Sequence, residues 1–223
     1  MNIKKIFVTL IVMMLPLGAV AKQSDIFIPE NFPKKFDKTY VEAISPVYKS
    51  VSKEPVVMVA LEMLKGTNGE FSRNAILGNN LSQRPMKVEF KNLSEIKEDY
   101  ANFDALGWKK GKNLTIYVNA KHKTAPPGAL AALLSHEALH QDEYNSIAEE
   151  TYAWTLEASV WCEILRIYPE SADDKLSPLV NRENNLKKMF EKGNYSDKYI
   201  KKEVRNNKGY QGLPQTSPGF ENL

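Results

Sequence analysis

Ser135-His136-Glu137-Ala138-Leu139-His140 constrains this chain more than any other stretch, because it spells HExxH at the end of an apolar, alanine-rich run with helical spacing. Four residues advance a helix by roughly 6 Å and about 40° beyond a full turn, so His136 and His140 are expected to leave one face as a bidentate metal clamp. Glu137 stands beside the clamp, where a carboxylate can take a proton from an activated water. The chain has three histidines, and this motif uses two. Pro127 suits the first turn of the helix, which carries Leu130, Leu133 and Leu134 toward a core.

A catalytic zinc ion is commonly held by three protein ligands, with the fourth place open. The remaining histidine, His122, lies upstream, so the third ligand is sought among the acids after the motif. Ser146-Ile147-Ala148-Glu149 fits a capping box at the start of a helical run from Ile147 to Tyr168, with Glu149 turned back to the amide of Ser146. That leaves Glu150 free to reach the metal, with Glu149 as the second choice. Gln141 to Asn145 is a short connection, which makes the two helices antiparallel neighbours. A hydrogen-bond donor for a developing oxyanion is also needed. His122, Tyr144, Tyr152 and Tyr210 are the candidates, and spacing does not choose among them.

Lys4 and Lys5, the apolar run Ile6 to Leu17 and Ala19-Val20-Ala21 form a signal-peptide pattern, with cleavage expected after Ala21. The run is shorter than the roughly 20 residues of a membrane span, and no later segment replaces it. An exported protein, periplasmic or secreted, with no stable membrane span after cleavage is therefore expected. Cys162 is the only cysteine, so no intrachain disulfide is available and the fold must rest on a core. Basic and acidic residues number 30 and 27, and two of the lysines belong to the leader, so the charge suggests no nucleic-acid partner. Nothing in the sequence assigns an oligomeric state.

The rest of the chain is punctuated clearly. Residues 22–54 form an N-terminal arm and a helix with a break at Ser45-Pro46, and Val56 to Leu64, apolar nearly all round, is a buried helix. Met86 to Phe90 alternates as a strand, and Tyr100 to Trp108 and Leu114 to Asn119 make a hairpin about Lys109-Lys110-Gly111-Lys112-Asn113. Trp154, Trp161 and Cys162 are assigned to the core. Residues 169–223 are a helical extension whose tail, with Tyr210, Leu213 and Phe220, is expected to pack back on the domain.

His136, Glu137, His140 and the step Glu150-Thr151-Tyr152-Ala153 resemble the gluzincin metallopeptidases, whose third zinc ligand is a glutamate on a helix after HExxH. The resemblance spans about Pro55 to Tyr168 and marks residues 55–168 as a zincin-like catalytic core. It implies a single α+β domain: a small antiparallel or mixed sheet packed on the HExxH helix, followed by a mostly helical C-terminal part. It also implies Zn2+ on His136, His140 and Glu150, Glu137 as general base, and hydrolysis of an amide bond in a peptide, protein or cell-wall peptide. Leu114, Thr115, Ile116, Tyr117, Val118 and Asn119 would be the edge strand on which extended substrate is added. The metzincin pattern needs a third histidine at the place of Ser146 and is excluded. The alternative is a zincin-fold binding or sensor protein of the cell envelope that hydrolyses nothing.

Overall fold

The computed structural model describes residues 37–221; the expected leader and the first part of the arm lie outside the described residues. The described chain is α+β, with seven helices and one three-stranded mixed sheet. Among the described residues no helix is long and apolar enough to cross a membrane.

Helix α1 (Lys38–Tyr48) starts where the Asp37 carboxylate accepts the Thr39 N–H at 3.0 Å, and it continues through Pro46. The expected break does not occur, because Pro46 sits in the last turn and removes only one backbone donor. Helix α2 (Pro55–Met63) begins on its proline, and every residue from Val56 to Met63 is buried, as its all-round apolar pattern implies. Helix α3 (Glu70–Leu77) follows. Its Arg73 Nε donates to Tyr48 Oη at 2.8 Å, and that hydroxyl donates in turn to buried Glu62.

The sheet has the order β1 (Lys87–Lys91), β3 (Asn113–Asn119), β2 (Ala105–Lys110). Strands β2 and β3 form a hairpin, but its first strand begins at Ala105 rather than Tyr100 and its turn narrows from Lys109–Asn113 to Gly111 and Lys112, with Gly111 at φ 61° as a tight primed turn requires. Leu114, Ile116 and Val118 are buried on one face. The assignment of Leu114, Thr115, Ile116, Tyr117, Val118 and Asn119 as an edge strand is corrected here. Strand β1 pairs with β3 in parallel on the side opposite the hairpin, Val88 against Ile116 and Phe90 against Val118, so both edges of β3 are occupied. The edges are β1 and β2.

Helix α4 (Pro127–Glu137) is buried at all eleven positions and lies between α2, α3 and the long helix α5 (Ile147–Ile167). Helices α6 (Pro178–Lys192) and α7 (Lys198–Asn206) pack on α5, with Ala158, Leu186, Phe190, Ile200 and Val204 in one apolar cluster. The tail packs back as expected, placing Tyr210 and Leu213 against that cluster. Trp161 is fully buried, while Trp154 and Cys162 are partly buried.

Candidate metal centre

HExxH straddles a helix end. Helix α4 stops at Glu137, and the next bonds run from Leu139 N–H to His136 O and from His140 N–H to Glu137 O, at 3.0 and 3.3 Å, the tighter spacing of a closing 3₁₀-like turn. His140 therefore sits just past the helix rather than on its last turn, and the two imidazole centroids are 5.2 Å apart. Strand β2 runs beside this turn. A Cβ on Gly107 would meet His140 Cβ at 3.0 Å and the His140 carbonyl oxygen at 3.4 Å, so the missing side chain sets how closely sheet and clamp approach.

The third donor comes from α5, which packs against α4 and on which Ala153 is fully buried. Glu150 Oε2 lies 3.6 Å from His136 Nε2, and Glu150 Oε1 lies 3.7 Å from His140 Nε2. One ligand atom from each of the three residues falls within 4.8 Å of the others. Tetrahedral zinc with bonds of roughly 2.0–2.1 Å places its donors about 3.3 Å apart, close to the 3.6 and 3.7 Å that separate the Glu150 oxygens from the two imidazoles. Glu150 Oε2 is buried without a hydrogen-bond partner, while Oε1 accepts from Asn145 Nδ2 at 2.6 Å. A buried anionic oxygen left unpartnered beside two imidazole nitrogens fits a cation site. Glu137 is buried next to the set, with Oε1 3.9 Å from His136 Nε2.

Each imidazole is held from behind. His136 Nδ1 is 3.0 Å from Glu157 Oε2, and His140 Nδ1 is 2.9 Å from Glu149 Oε1. With both Nδ1 atoms donating to carboxylates, both Nε2 atoms face the space beside Glu150, so a metal that displaces the Nε2 proton of His140 meets the tautomer a ligand needs. Burial opposes charge on His140, but the Glu149 hydrogen bond and the nearby Glu150 and Glu137 charges win and raise its pKa to about 9. Burial raises Glu137 above the usual carboxylate range, against the opposing pull of the two histidines. The pocket is short of positive charge.

Glu157 was not expected from the sequence, although a buried acid seven residues after Glu150 repeats the same helix face. It is fully buried and bound by Arg182 of α6, whose Nη2 donates to Glu157 Oε2 at 2.9 Å and whose Nη1 donates to Oε1. Arg182 also donates to Glu183 Oε1 at 2.8 Å and lies 3.2 Å from Asp104 Oδ2. Burial works against ionised Glu157, yet the Arg182 charge and the His136 hydrogen bond outweigh it and hold the carboxyl far below its usual range. Burial and the neighbouring Glu157 charge drive Glu183 the other way, well above the usual carboxylate range.

Glu149 corrects the capping-box expectation in one half. Its N–H does donate to Ser146 Oγ at 3.1 Å, but the Ser146 amide donates to Asn145 Oδ1 at 2.7 Å, so the Glu149 carboxylate is free to hold His140. Of the four candidate oxyanion donors, Tyr210 lies beside Glu150. Burial, then the Glu150 charge, pushes its phenol well above the ordinary tyrosine range, and its oxygen accepts from Trp154 Nε1 at 3.1 Å. His122 is buried, with Nε2 2.7 Å from Asp104 Oδ1 and thus tied to a partner outside the ligand set. Tyr144 and Tyr152 are exposed, the Tyr152 ring 6.0 Å from that of Phe220. No protein-family model, curated protein or solved structure matches the chain.

Proposed function

We propose that the protein is an exported zinc metallopeptidase of gluzincin type, with His136, His140 and Glu150 as zinc ligands and Glu137 as general base. The observation that carries this reading is the convergence of two imidazoles and the Glu150 carboxylate, one ligand atom from each within 4.8 Å, with Glu150 Oε2 unpartnered and a second carboxylate, Glu137, beside them. A purely structural metal site has no use for that extra carboxylate. Zinc bound there would polarise a scissile carbonyl and acidify water. Glu137 accepts the proton of the attacking water and returns it to the leaving amine. The Tyr210 hydroxyl, kept protonated by its surroundings, is the best-placed donor toward the developing oxyanion. Extended substrate is assigned to the free edge of β2, the strand that lies against His140 through Gly107.

The test is the mature protein starting at Lys22, loaded with zinc and offered a library of peptides and cell-wall peptides, beside Glu137→Gln. The wild type should cleave. The variant should keep its zinc and lose at least about 100-fold in turnover, the scale of a lost general base. Undiminished turnover in Glu137→Gln would sink the mechanism, and zinc binding without cleavage of any peptide would favour the binding-protein alternative.

A further inference from the structure

The C-terminal tail reaches the clamp through a closed circuit of hydrogen bonds. Glu149 N–H donates to Ser146 Oγ at 3.1 Å, Ser146 Oγ and Ser217 Oγ are 2.9 Å apart, and Ser217 Oγ is 2.9 Å from Glu149 Oε2. Each serine has one proton to give, and an ionised carboxylate only accepts. Ser217 must then donate to Glu149, so the proton between the serines comes from Ser146. The circuit runs one way, from the Glu149 amide through two hydroxyls to the Glu149 carboxylate, whose other oxygen receives the His140 Nδ1 proton. Chains of bonds aligned in this way polarise one another. Both serines are buried.

Docking of the tail is fixed independently at several points. Ile147 N–H donates to Pro214 O at 2.9 Å and Ala148 N–H to Gln215 O at 3.0 Å, so tail carbonyls satisfy two first-turn amides of α5 that have no partner within the helix. Leu213 and Tyr210 pack on the α5–α6–α7 cluster, and the Phe220 ring lies against Tyr152. The two clamp histidines are therefore backed differently. Glu157 behind His136 is bound by a guanidinium, whereas the Glu149 carboxylate behind His140 has, among the described residues, the Ser217 hydroxyl as its one further donor.

Resting on the zinc reading of the site, we propose that Ser217 is a positioning residue for His140: acting through Glu149, it makes the C-terminal tail a working part of the metal centre. Losing its hydroxyl leaves Glu149 Oε2 without its donor and frees the carboxylate to rotate away from His140 Nδ1.

Zinc affinity, measured by competition against a chelator, and the melting temperature of the metal-free protein test this. Glu149→Gln should weaken zinc by about 10–100-fold, the usual effect of removing a partner behind a metal ligand, and Ser217→Ala by about 10-fold. Ser217→Thr should restore affinity to near the wild-type value. In the Glu149→Gln background, Ser217→Ala should change affinity by no more than about twofold, because the route it acts through is already gone. Wild-type affinity in Ser217→Ala, or a lowered metal-free melting temperature as its sole effect, overturns this inference and leaves the metal reading intact. Absence of zinc binding by the wild type overturns both.

Discussion

Arg182→Met attacks the centre from behind, at a residue that touches none of the three proposed ligands. The guanidinium makes two bonds to Glu157, one to Glu183 and an ion pair to Asp104. Burial and the Glu157 charge push Glu183 toward its neutral form, and Asp104 keeps His122 and Lys121, so the cost falls chiefly on Glu157. That carboxylate has no exposed surface and would be left with a single hydrogen bond to His136. Stranding one member of a buried ion pair costs about 3–5 kcal/mol. In a domain of this size each kcal/mol moves the melting temperature by about 2–4 °C, giving an expected fall of roughly 6–20 °C for the metal-free protein. Thermal unfolding followed by circular dichroism reads it directly. The double variant Glu157→Gln/Arg182→Met removes the stranded charge yet keeps an acceptor for His136 Nδ1, and it should recover more than half of the loss. A single variant within about 1 kcal/mol of wild type, or a double variant worse than the single, would refute the idea that Arg182 neutralises Glu157.

Two further perturbations probe the surroundings. Gly107→Ala puts a methyl 3.0 Å from His140 Cβ, against a comfortable contact of roughly 3.5–4.0 Å; kcat/KM should fall about 10-fold or more with a milder loss of stability, and unchanged kinetics would contradict the assigned approach of β2. Burial opposes ionised Asp104, but the His122 hydrogen bond and the Arg182 charge outweigh it and lower its folded pKa, so its stabilisation is present above the unfolded value of about 4 and disappears as pH drops through the lower folded value. Asp104→Asn should show a constant deficit in melting temperature near neutral pH that narrows below about pH 4, and a deficit that widens on acidification would reverse the sign.

The spacing of His136, Glu137 and His140 was legible because helical periodicity converts directly into azimuth, even though the helix closes before His140. The capping argument that singled out Glu150, which does lie beside the two histidines, holds in one half. Ser146 does cap the helix, but the Glu149 side chain serves His140 instead of its own cap, a choice set by tertiary neighbours and not by local sequence. Strand order was not legible for a similar reason: alternation marks β3 as half-buried but says nothing of β1 arriving in parallel on its far side. Arg182, Asp104 and Ser217 come from distant segments and carry no local signal. Glu157 and Gly107 did carry one: a charge on a buried helix face, and a glycine inside a strand beside the motif.

A zinc titration of the mature protein, with the ligand shell read by X-ray absorption, tests the central claim most directly. The account predicts about one zinc per chain bound through two imidazoles and one carboxylate at roughly 2.0–2.2 Å, with binding abolished in His136→Ala and His140→Ala and sharply weakened in Glu150→Gln. Wild type that takes up no zinc, or histidine variants that retain their full complement, would contradict it.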